Sequence, residues 1–267
     1  MKKYISFFRL RLVMGLQYRA AALGGVVTQF FWGFMEIIAL RAFYESDPAA
    51  YPMTLDETSS YIWLQQAFLV LLSARTFDGE ILNAIQSGNI AYEFCRPIHI
   101  YDMWFAKSTA TRLSGAWLRC IPVLMVVFLL PKPYGMSAPA DLLHFVLFVV
   151  TLILGLLVVV AFSMLVYVSG FYTLSTDGAK ILTGAVVDLF TGHLIPLPFF
   201  PEGVRQVLEV LPFAAMQNVP LRVYSGNLAG AELYRAIILQ IFWLAVLTAG
   251  GKMLCRHAEK KVIVHGG

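Results

Sequence analysis

Apolar residues run along this chain in long unbroken blocks, not in the alternations or stripes of a soluble fold. Leu142 through Ala179 is the clearest block: Asp177 is its only formal charge, and His144 its only other titratable group apart from tyrosines. Such a run exceeds what a buried soluble helix needs and is long enough to cross roughly 30 Å of hydrocarbon. Read this way, the pattern predicts six membrane spans, at 20–43, 59–74, 113–130, 142–170, 181–195 and 236–254. The second and fifth are short. The fifth runs into "HLIPLPFFPEG", whose three prolines cannot continue a straight helix. The apolar but punctuated stretches that follow predict short helices at one membrane face, over 196–235. Irregular backbone at that depth needs protein or water around it.

Two polar interruptions carry patterning of their own. The first nineteen residues, "MKKYISFFRLRLVMGLQYR", place Arg9 and Arg11 on roughly opposite faces of a helix and are followed by no small-residue cleavage site. They predict an interfacial helix whose basic side chains reach lipid headgroups. Residues 78–107, "DGEILNAIQSGNIAYEFCRPIHIYDMWFAK", are too long for a plain connection between spans. Asp78 suits an N-cap, Ile81, Leu82 and Ile85 form one apolar stripe, and Gly88 is a natural stop. A second patterned piece then re-enters near Trp104, which suits an interfacial belt. A helix resting on lipid would bring Asp78 and Glu80 against an anionic leaflet. A protein partner that takes the stripe into a groove fits better.

Composition agrees with the pattern. Hydrophobic residues make up 59% of the 267 and charged residues 13%, about half the share in a soluble domain. The expectation is one all-α transmembrane domain over 1–267 with no soluble appendage. The net charge of +4 is small, so its placement matters more. With both termini inside, Lys2, Lys3, Arg9, Arg11, Arg19, Arg75, Arg96, Lys107, Arg112, Lys180, Lys252, Arg256, Lys260 and Lys261 fall on the inner side. Lys132, Arg205, Arg222 and Arg235 fall outside, and Glu45, Asp47, Asp56 and Glu57 mark the first outer loop. That bias predicts cytoplasmic termini and a cytoplasmic 78–107 segment. Cys95, Cys120 and Cys255 match no metal-ligand spacing and no disulfide framework.

The chain has no G-x-x-x-x-G-K-[ST] phosphate loop, no H-E-x-x-H and no G-x-S-x-G, so no catalytic, cofactor or metal site is expected in it. What remains is charge inside the spans. Glu36 and Arg119 lie in apolar runs, and Asp188 and His193 in the fifth. Intramembrane charge is costly and marks functional sites. Arg119 can snorkel inward and His193 can reach the outer interface, whereas Glu36 and Asp188 are candidates to line a translocation path. An ion-coupled secondary transporter using those two acids is the alternative from another class, although no inverted repeat is visible.

Taken with this order of elements, "IQSGNIAYEFCRPI" after span two and "LPFAAMQNVPLRVYSG" between spans five and six resemble segments of the membrane subunits of type-two ABC exporters, in a bacterial branch. The resemblance covers essentially the whole chain. It implies that Glu80 to Gly88, with Ile81, Leu82 and Ile85, form a coupling helix docked on an ATPase. Leu211 to Gly226 would then belong to an outer gate. It further implies a pair of permease chains, identical or homologous, with two ATPase subunits that hold ATP and Mg. The setting would be a bacterial cytoplasmic membrane, with lipids but no nucleic acid as further partners.

Overall fold

The computed structural model describes residues 2–46, 51–95, 97–173 and 177–260, and every regular element among them is helical. The sequence positions Asp47, Arg96 and Lys261 named above lie outside the described residues. The helices are α1 (Lys2–Gly15), α2 (Arg19–Ser46), α3 (Leu55–Ala67), α4 (Leu69–Leu72), α5 (Gly79–Gln86), α6 (Ile90–Phe94) and α7 (Ile100–Leu129). Then come α8 (Leu142–Ser169), α9 (Asp177–Phe190), a 3-10 turn at Leu197–Phe199, α10 (Glu202–Val210), α11 (Pro212–Met216), α12 (Asn218–Tyr224) and α13 (Gly230–Glu259).

Four of these helices, α2, α7, α8 and α13, are long and apolar enough to cross a membrane. The expected second and fifth spans take another form. α3 has thirteen residues, starts in a reciprocal Thr54–Glu57 capping box and is buried from Thr58 to Ala67. Its polar Ser59, Ser60, Gln65 and Gln66 are all buried inside the bundle, which explains why the run reads as weakly apolar. The helix breaks at Phe68, continues as the four residues of α4 and becomes extended at Ser73. α9 has fourteen residues, about 21 Å at 1.5 Å per residue, short of the hydrocarbon thickness. Its chain then turns through Gly192, which has a left-handed φ of 81° and follows Thr191.

α8 is the central post and packs on α7, α11, α12 and α13. Gly155 lets α11 approach it: a Cβ there would sit 2.4 Å from the Met216 carbonyl oxygen. The buried Gln240 amide of α13 closes the same joint, donating to Thr151 O at 3.0 Å and Ala215 O at 2.8 Å. α7 begins at Ile100, well before the expected position 113, and its thirty residues span about 45 Å, more than a bilayer core. α1 lies against it, and Tyr4 Oη accepts the His99 N–H at 3.0 Å. Lys252 of α13 pairs with Asp102 at 2.8 Å, so α1 and the end of α13 meet the same end of α7. Lys132–Asp56 at 2.7 Å and Tyr224 Oη to Ser137 O at 3.0 Å knit the loops at the opposite end.

Candidate functional site

Two places gather the polar side chains singled out by sequence: the turn into α5, and the α2–α3 seam around Glu36.

α5 is capped as its sequence predicts. Asp78 Oδ1 accepts the N–H groups of Glu80 at 2.9 Å and Ile81 at 3.3 Å, and Gly88 follows the C-cap Ser87 with φ 76°. The orientation of the apolar stripe is a correction. Ile81 and Leu82 are 1% and 4% exposed and belong, with the partly buried Ile85, to the core cluster that also holds Trp104 and Tyr167. A sequence stripe shows which face of a helix is apolar, but not what covers it. Here the protein's own core covers it, in the cluster that holds Trp104 of α7 and Tyr167 of α8. The exposed edge of this segment is Gly79, Glu80, Asn83, Gln86, Ser87, Gly88 and Asn89.

Charge holds the helix in place. Lys107 Nζ, its side chain 7% exposed, bridges Asp78 Oδ1 at 2.9 Å and Glu80 Oε2 at 2.7 Å, and Arg11 of α1 reaches Glu80 at 3.0 Å. The Lys107 hydrogen bond, reinforced by the Lys107 and Arg11 charges, holds the Glu80 carboxyl below the usual carboxylate range. Both acids are therefore neutralised within the chain, and leaflet repulsion no longer argues for a protein partner. Trp104 is likewise no belt residue: it is buried, stacks on Phe171 and donates its indole N–H to Glu93 at 2.8 Å.

Behind α5 sits Arg112, 1% exposed. Its guanidinium donates to Val70 O at 3.4 Å, Leu71 O at 3.3 Å, Ser73 O at 2.6 Å and Thr76 O at 2.6 Å, and to Ser163 Oγ at 3.1 Å. Carbonyls orphaned where α4 ends thus find one cationic donor, and α4, α7 and α8 are tied at one point. Counting charge by side had placed Arg112 only as an inner basic residue. Its isolation among Thr111, Leu113 and Ser114, before an apolar run, was the available signal.

At the other place, Glu36 of α2 faces α3. Gln65 Nε2 lies 3.4 Å from both carboxylate oxygens and Gln66 Nε2 3.3 Å from one. Gln65 also donates to His193 O at 2.9 Å and accepts from Gln217 at 3.1 Å. Glu36, Ala39, Leu40, Ile62, Gln65, His193, Leu194 and Pro196 line a cavity here. Asp188 sits in different company: it is ion-paired with Arg75. The two acids do not touch, and His193 links them through its backbone, its N–H reaching Asp188 O at 3.2 Å. Arg119 packs its guanidinium against Gly25 of α2. Sequence counts Arg75 only as an inner basic residue and does not single out Gln65, although "LQQ" inside an apolar run is a usable sign.

Four helices of membrane length among the described residues, packed into one bundle, mark a multi-pass membrane protein. Residues 30–261 match the family described as ABC-2 family transporter protein, and the chain belongs to that family. It is thus a type-two ABC permease, a class that associates with an ABC ATPase subunit. No curated protein matches the chain.

Proposed function

We propose that this chain is the permease half of an ATP-driven exporter that pairs with a second permease chain, identical or homologous, and two ATPase subunits. ATP and Mg would be held by those partners. The observation that carries the reading is the mounting of α5: an Asp78-capped helix fixed to α7 and α1 by Lys107 and Arg11, with a polar edge left exposed. Movement of a docked ATPase would pass from that edge through the Lys107 and Arg112 ties into α7 and α8, and so to the bundle. Alternating access follows only if the ATPase pair binds the two permease states with different affinity. The distribution of Lys and Arg supports cytoplasmic termini in a bacterial cytoplasmic membrane, the six-pass topology of the sequence pattern, and 196–235 at the outer face. The ion-coupled alternative has less support, because one of its two acids, Asp188, already has a cationic partner in Arg75.

The test places bulk on the exposed edge. Asn83→Trp with Gln86→Trp should leave the protein inserted and its melting temperature nearly unchanged. ATPase co-purification, or the stimulation of its hydrolysis by the permease, should be lost. If both survive, α5 is not the docking element, and 89–102 takes its place as the candidate.

A further inference from the structure

The cavity beside Glu36 has unbalanced hydrogen-bonding groups. An ionised carboxylate offers about four acceptor positions. Among the described residues Glu36 meets only the amides of Gln65 and Gln66, at 3.3–3.4 Å, longer than the usual N–H···O range. Gln65 divides that same nitrogen with the His193 carbonyl, which it holds more closely at 2.9 Å. The carbonyl keeps a second lone pair. No ion pair of the described residues includes Glu36. The acceptor positions of Glu36 and the His193 carbonyl are therefore only partly filled by the described residues, and none of those residues offers Glu36 a cationic partner.

The remaining walls, Ala39, Leu40, Ile62, Leu194 and Pro196, are apolar. Leu194 is 60% exposed, with Ile38 and Ile195 exposed nearby, so the cavity meets the apolar outer surface of the bundle. A charged group at membrane depth is costly and by default functional. Asp188 shows the alternative within the same chain, where an arginine supplies the missing charge.

We propose that this cavity binds the ammonium group of a primary-amine amphiphile. The N–H donors of the ammonium would fill the free acceptor positions of Glu36 and the His193 carbonyl, and its chain would lie along Leu40, Ile62 and Leu194. An anionic amphiphile would meet an unpaired carboxylate, and an alcohol could satisfy only one acceptor. As the substrate class of an exporter, this rests on the permease reading above; as a binding site, it stands on the cavity alone.

The purified complex in phosphatidylcholine nanodiscs tests it by displacement of a fluorescent alkylammonium with dodecylammonium, dodecanol or dodecyl sulfate. Dodecylammonium should displace at a concentration about tenfold or more below that of dodecanol, and dodecyl sulfate should not displace. Glu36→Gln should remove that advantage, and Glu36→Asp should restore part of it. Should Glu36→Gln fail to fold, Leu194→Trp, at an exposed position, should weaken ammonium binding by crowding the cavity. Equal potency of amine and alcohol, or ammonium binding that survives both Glu36→Gln and Leu194→Trp, overturns the proposal. ATPase co-purification is read on the same unsubstituted sample: its absence counts against the permease reading, and amine selectivity still decides the site.

Discussion

The α1–α5–α7 corner and the Glu36 cavity both hold carboxylates, and they treat them in opposite ways. At the corner, Asp78 and Glu80 meet Lys107 and Arg11 at 2.7–3.0 Å, and Arg112 behind them meets a ring of carbonyls. In the cavity, Glu36 meets amides at 3.3–3.4 Å and no cation among the described residues. Fully paired charge in a low-dielectric place is costly to disturb and fixes one geometry. Unmatched charge leaves room for something else to arrive. The first arrangement suits a rigid linkage, and the second suits a ligand.

The comparison breaks most visibly at Arg112. Arg112→Leu strips the donor from carbonyls at the end of α4, and each buried acceptor left unmade costs about 1–3 kcal/mol. A total loss of at least ~3 kcal/mol should lower the melting temperature in detergent by about 10 °C, with Arg112→Lys falling between. A variant that melts like the parent would mean the carbonyls find water, and that the corner is less rigid than its geometry implies. A smaller effect is expected from Leu82→Asp with Ile85→Asp, about 2–4 kcal/mol. Because the stripe is internal, the pair should expose 79–95 to limited proteolysis even with no ATPase present. Protection equal to the parent would return the stripe to a partner-facing role.

The smallest effect is a pH dependence. Glu80 has a folded pKa below its unfolded value, so its pairing contributes fully above the ordinary carboxylate range. That contribution fades as pH falls through the lowered value. Lys107→Met removes the main cause of the shift and should flatten the acid limb of a melting-temperature profile taken from pH 7 downwards, leaving Arg11 to supply a remnant. That substitution has no counterpart at Glu36, which no cation among the described residues pairs with. Parallel acid limbs in parent and variant would show that Lys107 does not set the Glu80 pKa.

Much of this architecture is legible in the sequence. The apolar blocks at 20–43, 142–170 and 236–254 correspond to α2, α8 and α13 within a few residues at most ends, because a helix in lipid must satisfy its own backbone and be apolar over its length. The Asp78 cap and the Gly88 stop are local rules and hold locally. The 59–74 block folds as the short α3 and α4 instead of one membrane-length helix, and no window of residues shows what its polar side chains face: α3 is surrounded by other helices, so its serines and glutamines face protein.

What composition and periodicity determined by themselves was a helical, membrane-embedded chain, with a capped amphipathic helix after the second apolar block and isolated acids in the interior. Tertiary structure alone decided what each polar group faces. Ile81 and Leu82 turn into the core that holds Trp104 and Tyr167, Asp188 is ion-paired with an arginine 113 positions away, and Glu36 is left with two glutamines among the described residues. Local propensity acts over a turn or two of helix, whereas the electrostatic partner of a buried charge is whichever residue the packing brings within reach. For that reason the two carboxylates, equivalent in the sequence, have different chemistry in the fold.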